Sequence, residues 1–462
     1  MSRIWIQSQL NQIRLVLQTV LLTTTMFFGS LCTPSFAATV KLLRSEVQAY
    51  SMRIELIENA QRSVDVASYE IDDDNASGRV LASLLHATER GVCVRILTDG
   101  HAGNNNMPKP LMQFLIEHGI SIRERPVDVR YQLELGRPRL HDKLLIVDGE
   151  HLITGGRNLK QEYFGIGNQN ITDCDVYANG PTARFASSYF NNRWHDPNCG
   201  QPDLHREESS KTSKHQHHPE WNLLPRAQSL EQVAKWLESQ FSLPLPAVDI
   251  CPSTMNHLPR EIDDDKIRFL SDIVGFPKRA EGSITPEVFK LVHSARTSIE
   301  IVTPYFAISN NLKSILLDAS RRGVRVRILT NSFESTDHPT VHAGFANERR
   351  WMLRAGIEVF EFRGRNMLHA KLMVIDNSTA MVGSYNFDRL AESRNSDVAL
   401  IVFNSCFASD VTLEIATLRA HATKMELEKL FGYERRNSNV PDSELRKLRR
   451  LRMAAPFIER YL

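Results

Sequence analysis

The chain writes one spaced phrase twice, and this repeat limits what it can fold into more than any other feature. His141-Asp142-Lys143 is followed by Asp148 and then by Gly155-Gly156-Arg157-Asn158. His369-Ala370-Lys371 is followed by Asp376 and then by Gly383-Ser384-Tyr385-Asn386. Both copies read His-x-Lys, four residues, Asp, six residues, Gly-(Gly or Ser)-x-Asn, and they start 228 residues apart (369 minus 141). The likeness extends upstream. Leu84 to Asp99 and Leu316 to Asn331 are identical at eleven of sixteen positions, and Ala60 to Val66 parallels Ala295 to Ile301.

Each half reads as strand, helix, strand, further helix, catalytic strand and final strand, with Gly91 and Gly323 turning a helix end into a strand. That order predicts two tandem α/β sandwich domains with mixed β-sheets, and a repeat this long is a duplicated domain rather than a solenoid unit. A chain of 462 residues has room for two. The expected boundaries are a signal peptide or N-terminal anchor over 1–37, a first domain over 38–200 and a linker with a connecting helix (Ala227 to Gln240) over 201–266. A second domain over 267–424 and a basic tail over 425–462 follow.

The repeated phrase has a local physical reading. Leu144 to Val147 and Leu372 to Ile375 are short apolar runs that read as buried strands. His141 and Lys143 are two residues apart, as are His369 and Lys371, so on extended chain each pair points to one face. An imidazole and an ammonium aimed at one point are suited to an anion. Gly155-Gly156 and Gly383-Ser384 let the next segment approach closely, and Asn158 and Asn386 bring amide donors.

Composition narrows the partners. The 56 basic and 54 acidic residues nearly balance, for a net charge of +2, so no nucleic-acid partner is expected. Arg3 and Arg14 precede a mostly apolar stretch, Leu15 to Phe28, and Pro34 to Ala38 brings small residues; this pattern reads as a secretory signal. The alternative, an uncleaved anchor, is weakened by Gln18 and Thr23 to Thr25. Export, to the periplasmic side of the inner membrane or beyond, permits disulfides, and Cys199 and Cys251 flank the middle linker as a candidate pair. That linker carries His205, His215, His217 and His218, which read as a solvated loop rather than a metal site. In the tail, Leu445, Leu448 and Leu451 are interleaved with Arg446, Lys447, Arg449, Arg450 and Arg452. Two readings stay open there: an amphipathic helix docked on the core, or attachment to an anionic membrane surface.

The doubled phrase resembles the signature of the phospholipase D superfamily, and the likeness runs along nearly all of the chain after its N-terminus. The resemblance implies a metal-free and cofactor-free phosphodiester exchange. One histidine, expected to be His141, attacks phosphorus, and the other, His369, is the general acid and base. Lys143 and Lys371 neutralise the non-bridging oxygens, Asn158 and Asn386 add donors, and Asp148 and Asp376 orient. Gly156 and Ser384 are expected against the substrate, with Glu162 and His342 as further candidate contacts. The stretch Leu140 to Phe164 is similar to the bacterial cardiolipin synthase branch. Thr330 to Ser332, Thr336-Asp337, Val341 to Phe345, Phe269 to Lys278 and Ala455 to Glu459 are similar to its C-type members. This implies phospholipid substrates and transfer of a phosphatidyl group to a lipid alcohol such as phosphatidylglycerol, within a single chain acting as a monomer. The alternative acceptor is water, which would make the chain a hydrolysing phospholipase D; a nuclease or other phosphodiesterase is the third reading. One stretch departs from the branch. Asp388 is followed by Arg389-Leu390-Ala391, and then Asn395-Ser396-Asp397 stands where an Asn-x-Glu is usual; Arg389 or Arg394 is the candidate substitute for the missing arginine.

Overall fold

The computed structural model describes residues 37–100, 107–125, 139–166, 170–202, 204, 230–242, 259–272, 283–364, 366–427, 450–451 and 453. The apolar N-terminal stretch, the linker histidines, Cys251 and nearly all of the basic tail lie outside these residues. Cys199 is buried and forms no disulfide among the described residues.

Two eight-stranded sheets repeat one plan. The first runs from edge to edge as Ser121–Arg125, Cys93–Asp99, Ser63–Ser68, Lys143–Val147, His151–Gly155, Asp175–Asn179, Ala37–Leu43 and Arg260–Asp263. The second runs in the opposite listing as Ile267–Ser271, Val398–Val402, Thr379–Gly383, Leu372–Ile375, Ser298–Val302, Arg325–Asn331, Glu358–Phe362 and Ala422–Lys424. Seven positions correspond one to one. In each sheet the strand of the first parallel pair (Ser63–Ser68 with Cys93–Asp99, Ser298–Val302 with Arg325–Asn331) also pairs antiparallel with the strand after the catalytic lysine. The mixed sheets and tandem α/β halves are those expected. The Gly turns are also in place, at φ +87° for Gly91 and +84° for Gly323, a conformation open to glycine at little cost.

The packing explains why the catalytic strands are apolar runs rather than alternating ones. Lys143–Val147 and Leu372–Ile375 are buried at every position. On their inner faces Leu144, Ile146 and Val176 share one core with Leu372, Val374 and Leu400 of the other half. On the outer faces each sheet is covered by its own helices, Glu46–Asn59, Asn75–Glu89 and Lys109–Glu117 in one half and Ile284–Ser294, Asn310–Arg321 and Pro339–Arg354 in the other. A sheet covered on both faces selects apolar residues on both.

The middle segment differs from the expectation of a linker over 201–266. Its helix, Leu230–Phe241, packs Val233, Trp236 and Leu237 into the outer core of the first half. The Trp236 indole comes so close to Gly78 that a Cβ there would lie 2.6 Å from it. Arg260–Asp263 then adds the edge strand of the first sheet. In its described parts this segment therefore belongs to the first half. No helix among the described residues is long and apolar enough to cross a membrane.

Candidate active site

The two histidines of the repeated phrase sit just before their strands, each on an extended arm that is stitched to the opposite half. Leu140 bridges Ser396, His141 N donates to Ser396 O at 3.1 Å, and Ser396 N donates to Arg139 O at 2.9 Å. In mirror fashion Met367–Leu368 pairs with Ile171–Thr172, and His369 N donates to Thr172 O at 2.8 Å. These backbone bonds place each histidine beside an aspartate of the other half. His141 Nδ1 lies 2.9 Å from Asp397 Oδ1, and His369 Nδ1 lies 2.7 Å from Asp173 Oδ2. Both aspartate side chains are fully buried. A carboxylate at Nδ1 fixes the tautomer: Nδ1–H donates to it, and Nε2 keeps its lone pair for chemistry. Tyr69 packs edge-on against His141 at 5.3 Å between ring centres, and Tyr163 against His369 at 5.4 Å.

Two small residues of the repeated phrase support these aspartates. A Cβ on Gly156 would fall 2.2 Å from Asp173 Oδ1, so only glycine lets that carboxylate reach His369. Cys174 N donates to the same oxygen at 2.7 Å. Ser384 takes the corresponding place in the second half and uses a hydrogen bond instead, donating Oγ–H to Asp397 Oδ1 at 2.8 Å. Gly156 and Ser384, expected against the substrate, thus support the two aspartates.

The lysines complete a dense cationic cluster. Lys143 Nζ donates to His141 O at 2.9 Å and lies 5.2 Å from the centre of the Tyr69 ring. Lys371 Nζ donates to His369 O and lies 2.8 and 3.0 Å from the two ring nitrogens of His369. Burial lowers each of these four cationic groups, and repulsion adds to it for all but Lys371. Burial and Lys371 push Lys143 down to about 7, and burial pushes Lys371 down to about 8. Burial and the two lysine charges hold His141 well below the ordinary imidazole value. Burial and Lys371 bring His369 to about 4, although Asp173 pulls it upward. Burial opposes the charge on Asp173, but Lys371 and the bond from His369 win and lower its pKa. An anion bound among these cationic groups would favour the charged forms of Lys143 and Lys371.

A proton-linked affinity follows. Groups whose pKa is low in the empty site and higher in the complex take up protons on binding, so anion affinity is greatest where the lysines are already charged and falls as pH rises through their values. Sulfate, a dianion throughout, is expected to bind about tenfold or more weaker at about pH 9 than at about pH 6. Calorimetry in buffers of different ionisation enthalpy should record net proton uptake; a flat profile would contradict the cluster.

The other expected site residues separate into two groups. Asn158 and Asn386 are buried at matching places, each with its amide oxygen unpartnered. Asn158 Nδ2 donates to Glu70 Oε2 at 3.2 Å and to Tyr163 Oη at 3.3 Å. Asp148 and Asp376 are not in the site. They lie seven residues beyond their histidines, at the opposite ends of the strands, roughly 20 Å away at strand rise. Both adopt left-handed backbone, φ +55° and +52°, and hold three successive backbone N–H groups, those of Gln61, Arg62 and Ser63 or Arg296, Thr297 and Ser298. Burial works against their charge, but these donors lower both pKa values. They lock strand ends. Glu162 joins Glu70 and Asp72 around Lys160 Nζ, at 3.8, 3.6 and 3.3 Å. His342 is on the helix Pro339–Arg354 rather than in a loop, buried with Nε2 3.7 Å from Glu361 and packed between Phe333 and Phe345. Asp388 caps the helix Arg389–Ser393, and Arg389 Nε donates to Ile308 O at 3.3 Å.

Asp173 and Asp397 are the functional residues that sequence reasoning passed over. A signal existed: Thr172-Asp173 and Ser396-Asp397 stand at equivalent places, in register just before the last strand of the repeated sheet order. Asp397 lies in the stretch that departs from the expected pattern, and it supplies the acid there.

Comparison with known proteins finds the same repeat. The family model described as "Cardiolipin synthase, PLD-like domain" matches residues 53–194 and 288–419, one match per half. Cardiolipin synthase C of Escherichia coli (strain K12) is 30% identical over 411 residues, 79% of this chain and 81% of its own length. Cardiolipin synthase 1 of Bacillus anthracis is 24% identical over 389 residues, 84% of this chain and 68% of its own. Among solved structures, phosphatidylserine synthase of Haemophilus influenzae Rd KW20 superposes with a TM-score of 0.65 over 93% of this chain and 98% of that one. At 15% identity that likeness speaks for the fold alone.

Proposed function

The chain belongs to the cardiolipin synthase family of phospholipase D-like enzymes, and from that premise we propose that it is a phosphatidyltransferase working through a covalent phospho-histidine. The observation that carries the reading is the crossed pairing, in which each half supplies one histidine and the acid that orients the other's. His141 Nε2 attacks phosphorus while the bond to the head-group oxygen breaks and His369 gives that oxygen its proton. A lipid alcohol then enters, His369 takes the hydroxyl proton, the new P–O bond forms and the P–N bond to His141 breaks. Lys143, Lys371 and the Asn386 amide hold the non-bridging oxygens, and the Asn158 amide joins them by turning from Glu70 and Tyr163. His141 is assigned the attack and His369 the acid role by likeness to the family, since each imidazole has its own buried aspartate at Nδ1.

Phosphatidylethanolamine or phosphatidylglycerol as donor and phosphatidylglycerol as acceptor are the substrates this reading favours, by likeness to the relatives. The chain closes its site within itself and works as a monomer at a membrane surface, and the N-terminal apolar stretch supports export. The test is to give the purified protein vesicles of phosphatidylethanolamine and phosphatidylglycerol and identify the products. Cardiolipin is expected. Phosphatidic acid alone would sink the transferase in favour of a hydrolase, and DNA cleavage without lipid turnover would sink both.

A further inference from the structure

Two residues before each catalytic histidine the halves diverge: Arg139 precedes His141, and Met367 precedes His369. On an extended arm Arg139, His141 and Lys143 share one side. The guanidinium lies 5.9 Å from the centre of the Tyr69 ring, the same ring that packs against His141 and lies under the Lys143 ammonium. Arg139 is fixed by its backbone, with N donating to Asn395 Oδ1 at 3.2 Å and O accepting from Ser396 N. Its side-chain Nε, by contrast, is buried with no hydrogen-bond partner. The charge is within electrostatic range of Tyr69 and Asp99 of its own half and of Asp388 and Tyr305 of the second. Tyr305 is in turn near Tyr163, which covers His369.

A buried guanidinium with an unfilled donor is costly unless an anion fills it. In the proposed mechanism the reacting phosphodiester is held by the two lysines and the asparagine amides. Arg139 stands about 6.6 Å farther along the arm than His141, two residues of extended chain. That is a place for a second anionic group, joined by a short bridge to the one that reacts. Water and simple alcohols carry no such group. A lipid alcohol whose own head bears a phosphodiester three carbons from the attacking hydroxyl does.

We propose that Arg139 binds the phosphodiester of an anionic lipid acceptor and so determines specificity for transfer over hydrolysis. The inference rests on the phosphatidyltransferase reading. It explains why the first half carries a cation where the second carries methionine: one acceptor needs one such contact.

The test compares the full-length wild type with R139M, which copies the other half, and R139K. Each is given phosphatidylethanolamine vesicles with either phosphatidylglycerol or dissolved glycerol. Cardiolipin, newly made phosphatidylglycerol and phosphatidic acid are quantified, and melting temperatures establish that the variants are folded. In R139M the ratio of cardiolipin to phosphatidic acid should fall about tenfold or more, through a higher KM for phosphatidylglycerol. The ratio of glycerol product to phosphatidic acid should hold, and R139K should recover part of the loss. An unchanged cardiolipin ratio, or both ratios falling together, overturns the acceptor role while leaving the transferase reading intact. A wild type that makes only phosphatidic acid overturns both.

Discussion

Replacing either His141 or His369 with alanine should lower lipid turnover by at least about 10⁴-fold, with melting temperatures showing that each variant is folded. The two losses have different causes, and an activated substrate separates them. A p-nitrophenyl phosphodiester leaves as a stable anion and needs no proton. His369→Ala should therefore still form the covalent adduct and release about one nitrophenolate per chain in a burst, then stall without a base for the acceptor. His141→Ala should give no burst. The opposite pattern would move the nucleophile to His369, and a burst in both would refute a histidine nucleophile.

The second large effect concerns residues that no part of the repeated phrase contains. Asp173→Asn and Asp397→Asn are nearly isosteric, so packing around Gly156 and Ser384 should survive. The amide can donate toward Nδ1, which favours the wrong tautomer and occupies Nε2 with a proton. A loss on the order of 10³-fold in kcat is expected from each, as for a buried carboxylate that orients a catalytic imidazole. The two differ in pH dependence. Asp173 raises the pKa of His369, and that histidine must be protonated to act as the acid. In Asp173→Asn the alkaline limb of the kcat profile should move to lower pH. An unshifted limb with full activity would show that the acids are only scaffolding.

The duplication made most of the architecture legible. Eleven identical positions in Leu84 to Asp99 and Leu316 to Asn331 announce one plan used twice, and the strands, Gly turns and helices of that plan are where the pattern puts them. Two edge strands, Arg260–Asp263 and Ala422–Lys424, were not legible, because edge pairing depends on neighbours far away in the chain. The histidines, lysines and asparagines were readable because their spacing is local. Their acids were not, because each joins its histidine only through the crossing of the arms, 256 residues apart for His141 and Asp397. Asp148 and Asp376 fill the structural part of their expected role and not a place beside the histidines. They sit at fixed local spacing, yet a strand of five or four residues at about 3.3 Å per residue carries them to the far end of the sheet.

The central claim is that the two halves of a single chain close one active site. Mixing tests it most directly. His141→Ala and His369→Ala are co-expressed or refolded together and assayed against each variant alone. If each chain builds its own site, every molecule lacks one histidine, and the mixture should stay as inactive as its components. Recovery of turnover on mixing would mean that His141 of one chain works with His369 of another, and would contradict the account.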